Sequence, residues 1–550
     1  MLRSEGFLDT ANIESSAGVT FGVTRPTKIA ENPVWPTLPS DGSVPHWGAG
    51  FSTLTYDEAL GKIRIHATVF DSPAVNTVHL GQALFDPVTR ALTMPNEGHI
   101  TFNGTTNNIL CSPGGLTRNQ HRVAWDDYLG AWVCITYVYV GLTPTIRIYT
   151  APAGDPWPWT LVKTLTDPST VAPTSEGAGV DGTCEPMAFW RRTDDRAVIY
   201  YQHTEPGGIQ GIRHVGMLLG PADGSLTGTW TDQGRILTAP SADAQYYYSG
   251  AWLYGDHVIV PIGIYDGNYT PGSLVGNDDR IWKAELWVDR SSDGTTLSRV
   301  DTDWLATDGT GFDASEIIAS NTMAEVGDTL WLGFGGDTNP HHVSPEGDRL
   351  YGMATVPRDR LGYIEGPGSA VLDPIAGAGT ITINAVADVA VELLHPSTGA
   401  VLTGYAAADC DAIPADTYGH LVTWNGQPAT PASYKPRLVL ASGRVHYLTA
   451  EELAPGSMTL TPANGWTQDG LDLSVVATVG VRATVTAIVV SNSGGPLTFA
   501  GIHADRFAAS LDGSTWVSTL ELDAGETTIY LSALPQAGDT VLTASVGVPR

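Results

Sequence analysis

One pattern recurs about every 60 to 70 residues between positions 47 and 366, and each copy supplies about four short strands divided by turn residues. A repeat of that length and make-up is one blade of a β-propeller: a four-stranded sheet that stacks on its neighbours around a central axis. Five copies follow one another. The first runs GFSTLTYD, KIRIHATVF and VHLGQALFDP; the second RVAWDD, AWVCITYVYV, TIRIYTAPA and WTLVKTL; the third PMAFWRRTDD, RAVIYYQHT, IRHVGMLLGPADG and GTWTDQGRIL. The fourth has SGAWLYGD, HVIVPIGIYD, RIWKAELWVDRSSDG and SRVDTDWL; the fifth has EIIASNTMAEVGD, TLWLGFGGD, RLYGMATVPRD and LGYIEG. Residues near 18–35 are expected to complete a blade by pairing N- and C-terminal segments, which removes an exposed sheet edge.

In each copy the first strand ends in a turn carrying Asp or Gly: Tyr56-Asp57, Asp126-Asp127, Asp194-Asp195, Gly255-Asp256 and Gly327-Asp328. These carboxylates read as hairpin residues rather than chemistry, because Asp and Gly tolerate left-handed backbone angles. After residue 366 the repeat gives way to shorter alternating strands (TITINAVADVAVELLHP, LVTWNG, RLVLASGRVHYLTA), and from about 456 to a second set of some seven (from SMTLTPANG to TVLTASVGV) at immunoglobulin-like spacing. The expected fold is all-β: a five-bladed β-propeller followed by two β-sandwich (immunoglobulin-like) domains. Its divisions are 1–30, an N-terminal arm or attachment segment; 31–366, the propeller; 367–452, a β-sandwich; and 453–550, an immunoglobulin-like sandwich.

Composition supports many short strands. Of 550 residues only 16% are charged, while 62 Gly, 36 Pro and 16 Trp are present. The formal charge of −30 repels phosphate backbones and anionic membranes, so nucleic acid is not an expected partner. Solubility accounts for that acidity, with cation binding as the alternative. Cys111, Cys134, Cys184 and Cys410 lack CxxC spacing and read as thiols, not as a zinc site or a disulfide framework. No run approaches the roughly 20 apolar residues of a membrane span, so no membrane insertion is expected, and the N-terminal segment lacks a signal-peptide core.

Phrases such as ENPVWP, TYDEALGKIRIHATVF and CEPMAFWRRTDDRAVIYYQHT resemble the blade grammar of the five-bladed glycoside hydrolase superfamily of arabinanases, β-xylosidases and invertases. MATVPRDRLGYIEG, with ITINAVADVAVELLHPSTGAVLTGYAAADCDAI and LVTWNG after it, looks like the sandwich that often follows such propellers. The resemblance implies carboxylates pointing into the central channel from the starts of innermost strands: a nucleophile or base, a general acid, and a group that tunes the acid. On that pattern Glu185, where the third copy's innermost strand begins, is the candidate general acid, with the alternative that it bonds a backbone amide at the channel rim. Asp181, Glu31 or Glu316 is the candidate base. Carbohydrate contacts fall to His46, Trp47, Arg118, Asn119, His121, Tyr247, Asn321 and His341, because aromatic faces stack on sugar rings while amide, imidazole and guanidinium groups bond hydroxyls.

The first and second copies depart from the family pattern: PHWGAG precedes one innermost strand and TRNQHRVAW holds the other, neither offering an acid there. His341 and His342 beside Asp337 resemble metal ligands only superficially, since adjacent side chains rarely meet one ion; no metal and no cofactor is expected. SLDGSTW at 510–516 resembles the Asp-box of sialidase propellers but lies in the last sandwich, where a hairpin turn explains it. The expected function is glycoside hydrolysis, or glycan binding alone, on a polysaccharide or cell-surface glycan. With no signal peptide visible, a phage tail is the expected carrier, the N-terminal arm or C-terminal sandwich contacting other tail proteins; an extracellular glycosidase is the alternative.

Overall fold

A computed structural model describes residues 3–7, 12–35, 48–111, 121–165, 186–204, 212–266, 281–338 and 350–452, apart from breaks of one or two residues, together with the backbone of strands between 477 and 547. Among the described residues the chain is strand and turn throughout, with one short 3-10 helix at Gly311–Asp313. The all-β expectation holds.

Five antiparallel meanders follow in chain order. The first comprises Gly48–Asp57, Lys62–Ser72, Val75–Phe85 and Ile109–Cys111; the second His121–Asp126, Ala131–Val140, Thr143–Ala151 and Thr160–Leu165. The third comprises Pro186–Arg191, Ala197–Thr204, Arg213–Leu219 and Thr231–Leu237, and the fourth Ala244–Ser249, His257–Asp266, Ile281–Asp289 and Ser298–Leu305. The fifth is Glu316–Ala319, Thr329–Asp337 and Leu350–Pro357, and its last strand comes from the other end of the chain: Thr27 and Lys28 pair with Thr355 and Ala354. The segment beyond that strand stays on the same edge, where the Asn32 amide bonds both backbone groups of Met353 at 2.8 Å and Trp35 bridges Tyr351.

The period-2 alternation of each strand sends its side chains to two different neighbours. In Ala197–Thr204, Ile199 and Tyr201 join a core with Val133, Ile135 and Ile148 of the second meander, while Val198 and Tyr200 join Val258, Val260 and Ile262 of the fourth. The fourth packs on the fifth through Leu286 and Trp304 against Ile317, Leu332 and Phe334. The fifth packs on the first through Trp331, Tyr351 and Met353 against Leu54, Ile63 and Phe85, and Leu80 of the first meets Val123 and Trp132 of the second. The packing order is therefore cyclic. Each such fully buried side chain stabilises the ring by roughly 1.5–3 kcal/mol.

Tight Cβ-free contacts let the sheets carry large rings. Gly263 lies directly across from Tyr248, and a Cβ there would stand 1.8 Å from the ring, so only glycine fits beneath it. The hairpin aspartates hold turns as expected: Asp57 Oδ1 accepts from the Leu60 amide, Asp126 Oδ1 from those of Tyr128 and Leu129, and Asp195 adopts a φ of 63°. Gly255 and Asp256 lie outside the described residues.

Beyond the fifth meander two sheets share one core. Tyr363 and Ile364 continue a sheet with Gly379–Val386, Asp416–Leu421 and Arg444–Glu452; Gly368–Leu372, Val389–Leu394 and Ser433–Leu440 form the other, and Ile381, Ile383 and Leu448 face Leu372, Val391 and Leu438 across the interior. The N-terminal residues belong to this body. Arg3–Gly6 pairs with Arg444–Glu452, Ile13–Ala17 with Gly368–Leu372, and Thr20–Val23 with Gly362–Glu365, while Phe7 is buried in the core. Within the segment expected as an N-terminal arm at 1–30, these described strands fill open sheet edges, and an unpaired strand edge is costly to leave exposed. The strands from Ala477 onward form three small antiparallel sheets.

Cys134 and Cys410 are free thiols, Cys134 buried in the core. Burial raises the Cys410 thiol above its ordinary value, which keeps it in the unreactive protonated form.

Candidate functional site

The C-terminal ends of the innermost strands, or the residues just beyond them, line one concave bowl, contributed by Leu54, Trp125, Phe189, Trp252 and Thr322 among others. Their first residues therefore stand at the opposite end of the ring, the mouth. His121 to Trp125 spans four residues of strand, about 13 Å.

Between mouth and bowl the axis is filled by a polar knot. Asn321 is 3% exposed, and with its side-chain amide turned so that the nitrogen faces the two carbonyls, it donates to Ser249 O (3.0 Å) and Met187 O (3.3 Å) and accepts from Arg122 Nε at 2.9 Å. Its backbone N–H donates to Ser52 O at 2.7 Å, and its carbonyl accepts from Ala251 N at 3.0 Å. Arg122 Nε also donates to Met187 O at 2.8 Å. One residue thus ties all five meanders together. The sequence reading of Asn321 as a sugar contact missed this, because nothing in SNTM distinguishes an amide turned inward from one turned to solvent.

At the mouth, Glu316 opens the innermost strand of the fifth meander and lies directly across from Asp337. Directly opposed residues of an antiparallel pair project from the same face with Cβ atoms about 4.5–5.5 Å apart. Both carboxylates are buried, Glu316 at 1% and Asp337 at 4% exposure. Two acidic side chains so placed repel one another when both are ionised. Asp337 was noted in the sequence only as a neighbour of His341 and His342; the strand register is what brings it to Glu316.

The facing wall comes from the third and fourth meanders. Tyr247 is half-buried with its ring 5.8 Å from that of Tyr265 and 5.1 Å from the Arg213 guanidinium carbon, while Arg213 Nη1 donates to Gln245 Oε1 at 3.3 Å. Gln202 Nε2 donates to the Tyr247 carbonyl at 3.3 Å. The buried rings of His203 and His214 meet edge to face at 6.2 Å on the adjoining strands. Gln202, His203, Arg213, His214 and Gln245 were not anticipated from the sequence; all sit at the mouth ends of their strands, which is where a strand-by-strand search would place them. His121 is buried at the first position of its own innermost strand.

Glu31 does not join this group. It is exposed and follows the outermost strand of the fifth meander, three strand spacings or about 14 Å across the sheet from Glu316. His46, Trp47, Arg118, Asn119, Asp181, Glu185, His341 and His342 lie outside the described residues. Among the described residues no cluster of three or more His, Cys, Asp or Glu is arranged to hold a metal ion, and no helix is long and apolar enough to cross a membrane.

No protein-family model matches the chain, and no curated protein does. Similar solved structures include a glycosyl hydrolase from Bacteroides ovatus, 14% identical, with 63% of this chain covering 96% of that one at a TM-score of 0.40. An N-acetylgalactosamine deacetylase from F. plautii is 13% identical over 62% of this chain and 96% of its own, TM-score 0.41. The catalytic domain of an α-L-arabinofuranosidase from Coprinopsis cinerea is 12% identical over 60% and 97%, TM-score 0.41. Superpositions this loose carry no argument about activity, so function is argued from the chain's own side chains.

Proposed function

We propose that the five meanders, closed by Thr27–Lys28, form a five-bladed β-propeller, that the two-sheet body at 362–452, joined by the N-terminal strands, and residues 453–550 form β-sandwiches, and that the propeller mouth is a glycoside hydrolase site acting on a cell-surface polysaccharide. The observation that carries this reading is the opposed, buried pair Glu316 and Asp337 beside the Tyr247–Arg213–Gln245 wall. Glycosidic cleavage needs one protonated carboxyl to give its proton to the leaving oxygen and one ionised carboxylate to activate water or attack the anomeric carbon. In this reading Glu316 is the base or nucleophile and Asp337 holds a charge beside it that tunes its proton affinity. Glu185, immediately before Pro186 at the head of the third meander's innermost strand, is the proton donor, with Asp181 behind it in sequence. Tyr247 supplies an apolar face for a sugar ring, and Arg213, Gln245 and His121 supply hydrogen bonds to its hydroxyls.

The test is release of reducing ends from host-cell polysaccharide by the wild type, Glu316→Gln and Glu185→Gln proteins. Each amide keeps the shape and cannot carry the charge or the proton, so rates should fall at least about 100-fold with binding retained. Wild type that binds glycan and releases nothing would instead support a non-catalytic glycan-binding component of a virion. The modular layout behind the propeller is the reason we place the chain on a phage tail; its detection in purified virions tests that placement.

A further inference from the structure

The bowl at the far end of the ring is a second concavity, separated from the mouth by the Arg122–Asn321 knot. It has two lobes, of about 610 and 650 Å³, sharing Trp125, Asp127, Trp252, Leu253 and Thr322. Each lobe lies within the 300–1,000 Å³ range of small-molecule sites. We infer that this bowl is a non-catalytic binding site for a neutral oligosaccharide.

Its walls combine two kinds of group. Trp125, Trp252 and Tyr254 are half-buried and Tyr128 is 48% exposed, so four aromatic rings line the concavity. Aromatic rings lining a concavity suit the C–H face of a sugar. The Trp252 Nε1–H is buried with no hydrogen-bond partner among the described residues. Among these rings stand the exposed carboxylates Glu58, Asp127 and Glu325. Carboxylates accept from hydroxyls, which a neutral sugar offers in number.

Charge selects against an anionic ligand. Arg358 in one lobe is committed to Glu325 at 2.8 Å, Asp328 at 3.3 Å and Asp359 at 3.4 Å. Arg191 in the other is clasped by Asp126 at 2.7 Å and donates to the Gly224 carbonyl at 2.8 Å. Arg192, which also lines that lobe, pairs with Asp194 at 3.1 Å, so the carboxylates left in the bowl, Glu58 and Asp127 among them, repel phosphate, uronate and sialate. The sugar class follows from the bowl alone and does not depend on hydrolysis at the mouth.

The test uses the full chain on an array of neutral hexasaccharides of gluco, manno, xylo and arabino configuration, with uronic- and sialic-acid oligosaccharides beside them. At least one neutral hexasaccharide should bind, more than 10-fold more weakly to Trp252→Ala and to the rim variant Glu58→Lys, and unchanged to Tyr247→Ala at the mouth. Glu58→Lys is on an exposed turn, so its effect is not one of folding. Binding that follows Tyr247 and ignores Trp252, binding of acidic sugars only, or no neutral ligand at all overturns the inference. So does self-association that Trp252→Ala abolishes, which would give the bowl to a second copy of the chain. If the mouth proves inactive while Trp252-dependent binding persists, the hydrolase reading fails and this one stands.

Discussion

Replacing Asn321 by alanine isolates the knot that closes the channel. The substitution removes the amide that donates to Ser249 O and Met187 O and accepts from Arg122 Nε, and leaves the two backbone bonds to Ser52 and Ala251 in place. Met187 O keeps Arg122 Nε as a donor at 2.8 Å, so the group left short is the Ser249 carbonyl. Three bonds at about 1 kcal/mol each, one of them to a charged donor and one exposing a buried acceptor, sum to about 3 kcal/mol, with a ceiling near 5. Equilibrium urea unfolding followed by tryptophan emission should show the ring's transition destabilised by that amount, with glycan affinity at 20 °C unchanged. A loss below about 1 kcal/mol, or intact stability with affinity abolished, would refute the structural role and return Asn321 to the sugar-contact role.

Three further outcomes are expected. His66 is fully buried against Gln82 and the edge of Trp132, and desolvation, with Arg64 adding to it, holds its imidazole down at about 3. Because the unfolded chain takes up that proton near pH 6.5, stability is complete above that pH and is lost as pH falls from 6.5 towards 3; at about 1.4 kcal/mol per pH unit, this amounts to about 2 kcal/mol at pH 5. The wild type should therefore lose about 2 kcal/mol more than His66→Gln between pH 7 and pH 5 in urea titrations, and equal losses would contradict the burial. Gly263→Ala forces a Cβ to within 1.8 Å of the Tyr248 ring and should cost about 3 kcal/mol or more in the same assay; a change within 0.5 kcal/mol would mean the sheet yields there. Deleting residues 1–23 strips three paired strands and buried Phe7 from the two-sheet body, so the truncated chain should lose that body's cooperative thermal transition; unchanged melting would mean those strands do not hold the body together.

Much of the architecture was legible because period-2 alternation and Asp/Gly turns are local signals. RAVIYYQHT and HVIVPIGIYD could be read as two-faced buried strands from their own letters. Closure by an N-terminal strand was also foreseeable, since it removes an exposed sheet edge, but LGYIEG, read as the last strand of the fifth copy, pairs instead within the two-sheet body. The fate of residues 3–23 was not: IESSA and TFGV carry too little apolar pattern to say which edge they meet, and their partners stand some 350 residues away. In the proposed site, Glu316 and Tyr247 were legible in the sequence, because they sit on strands whose starts the repeat marks. Asp337 was not legible, because opposition to Glu316 depends on hairpin register, and a one-residue slip would send that carboxylate to the other face. Glu31 stands apart from Glu316 for a related reason, since proximity in sequence to a blade start says nothing about which side of the sheet the chain climbs.

The central claim is that the mouth defined by Glu316, Asp337 and Tyr247 receives the sugar whose bond is cut. Its most direct measurement is the crystal structure of the Glu316→Gln protein soaked with a host-polysaccharide oligosaccharide. The account predicts a ring stacked on Tyr247, a hydroxyl bonded by Arg213 or Gln245, and a glycosidic oxygen or anomeric carbon within about 3.5 Å of the Asp337 carboxylate or of the amide that replaces the Glu316 carboxylate. Sugar bound only on the two-sheet body or the C-terminal strands, with the mouth left to water, would contradict it.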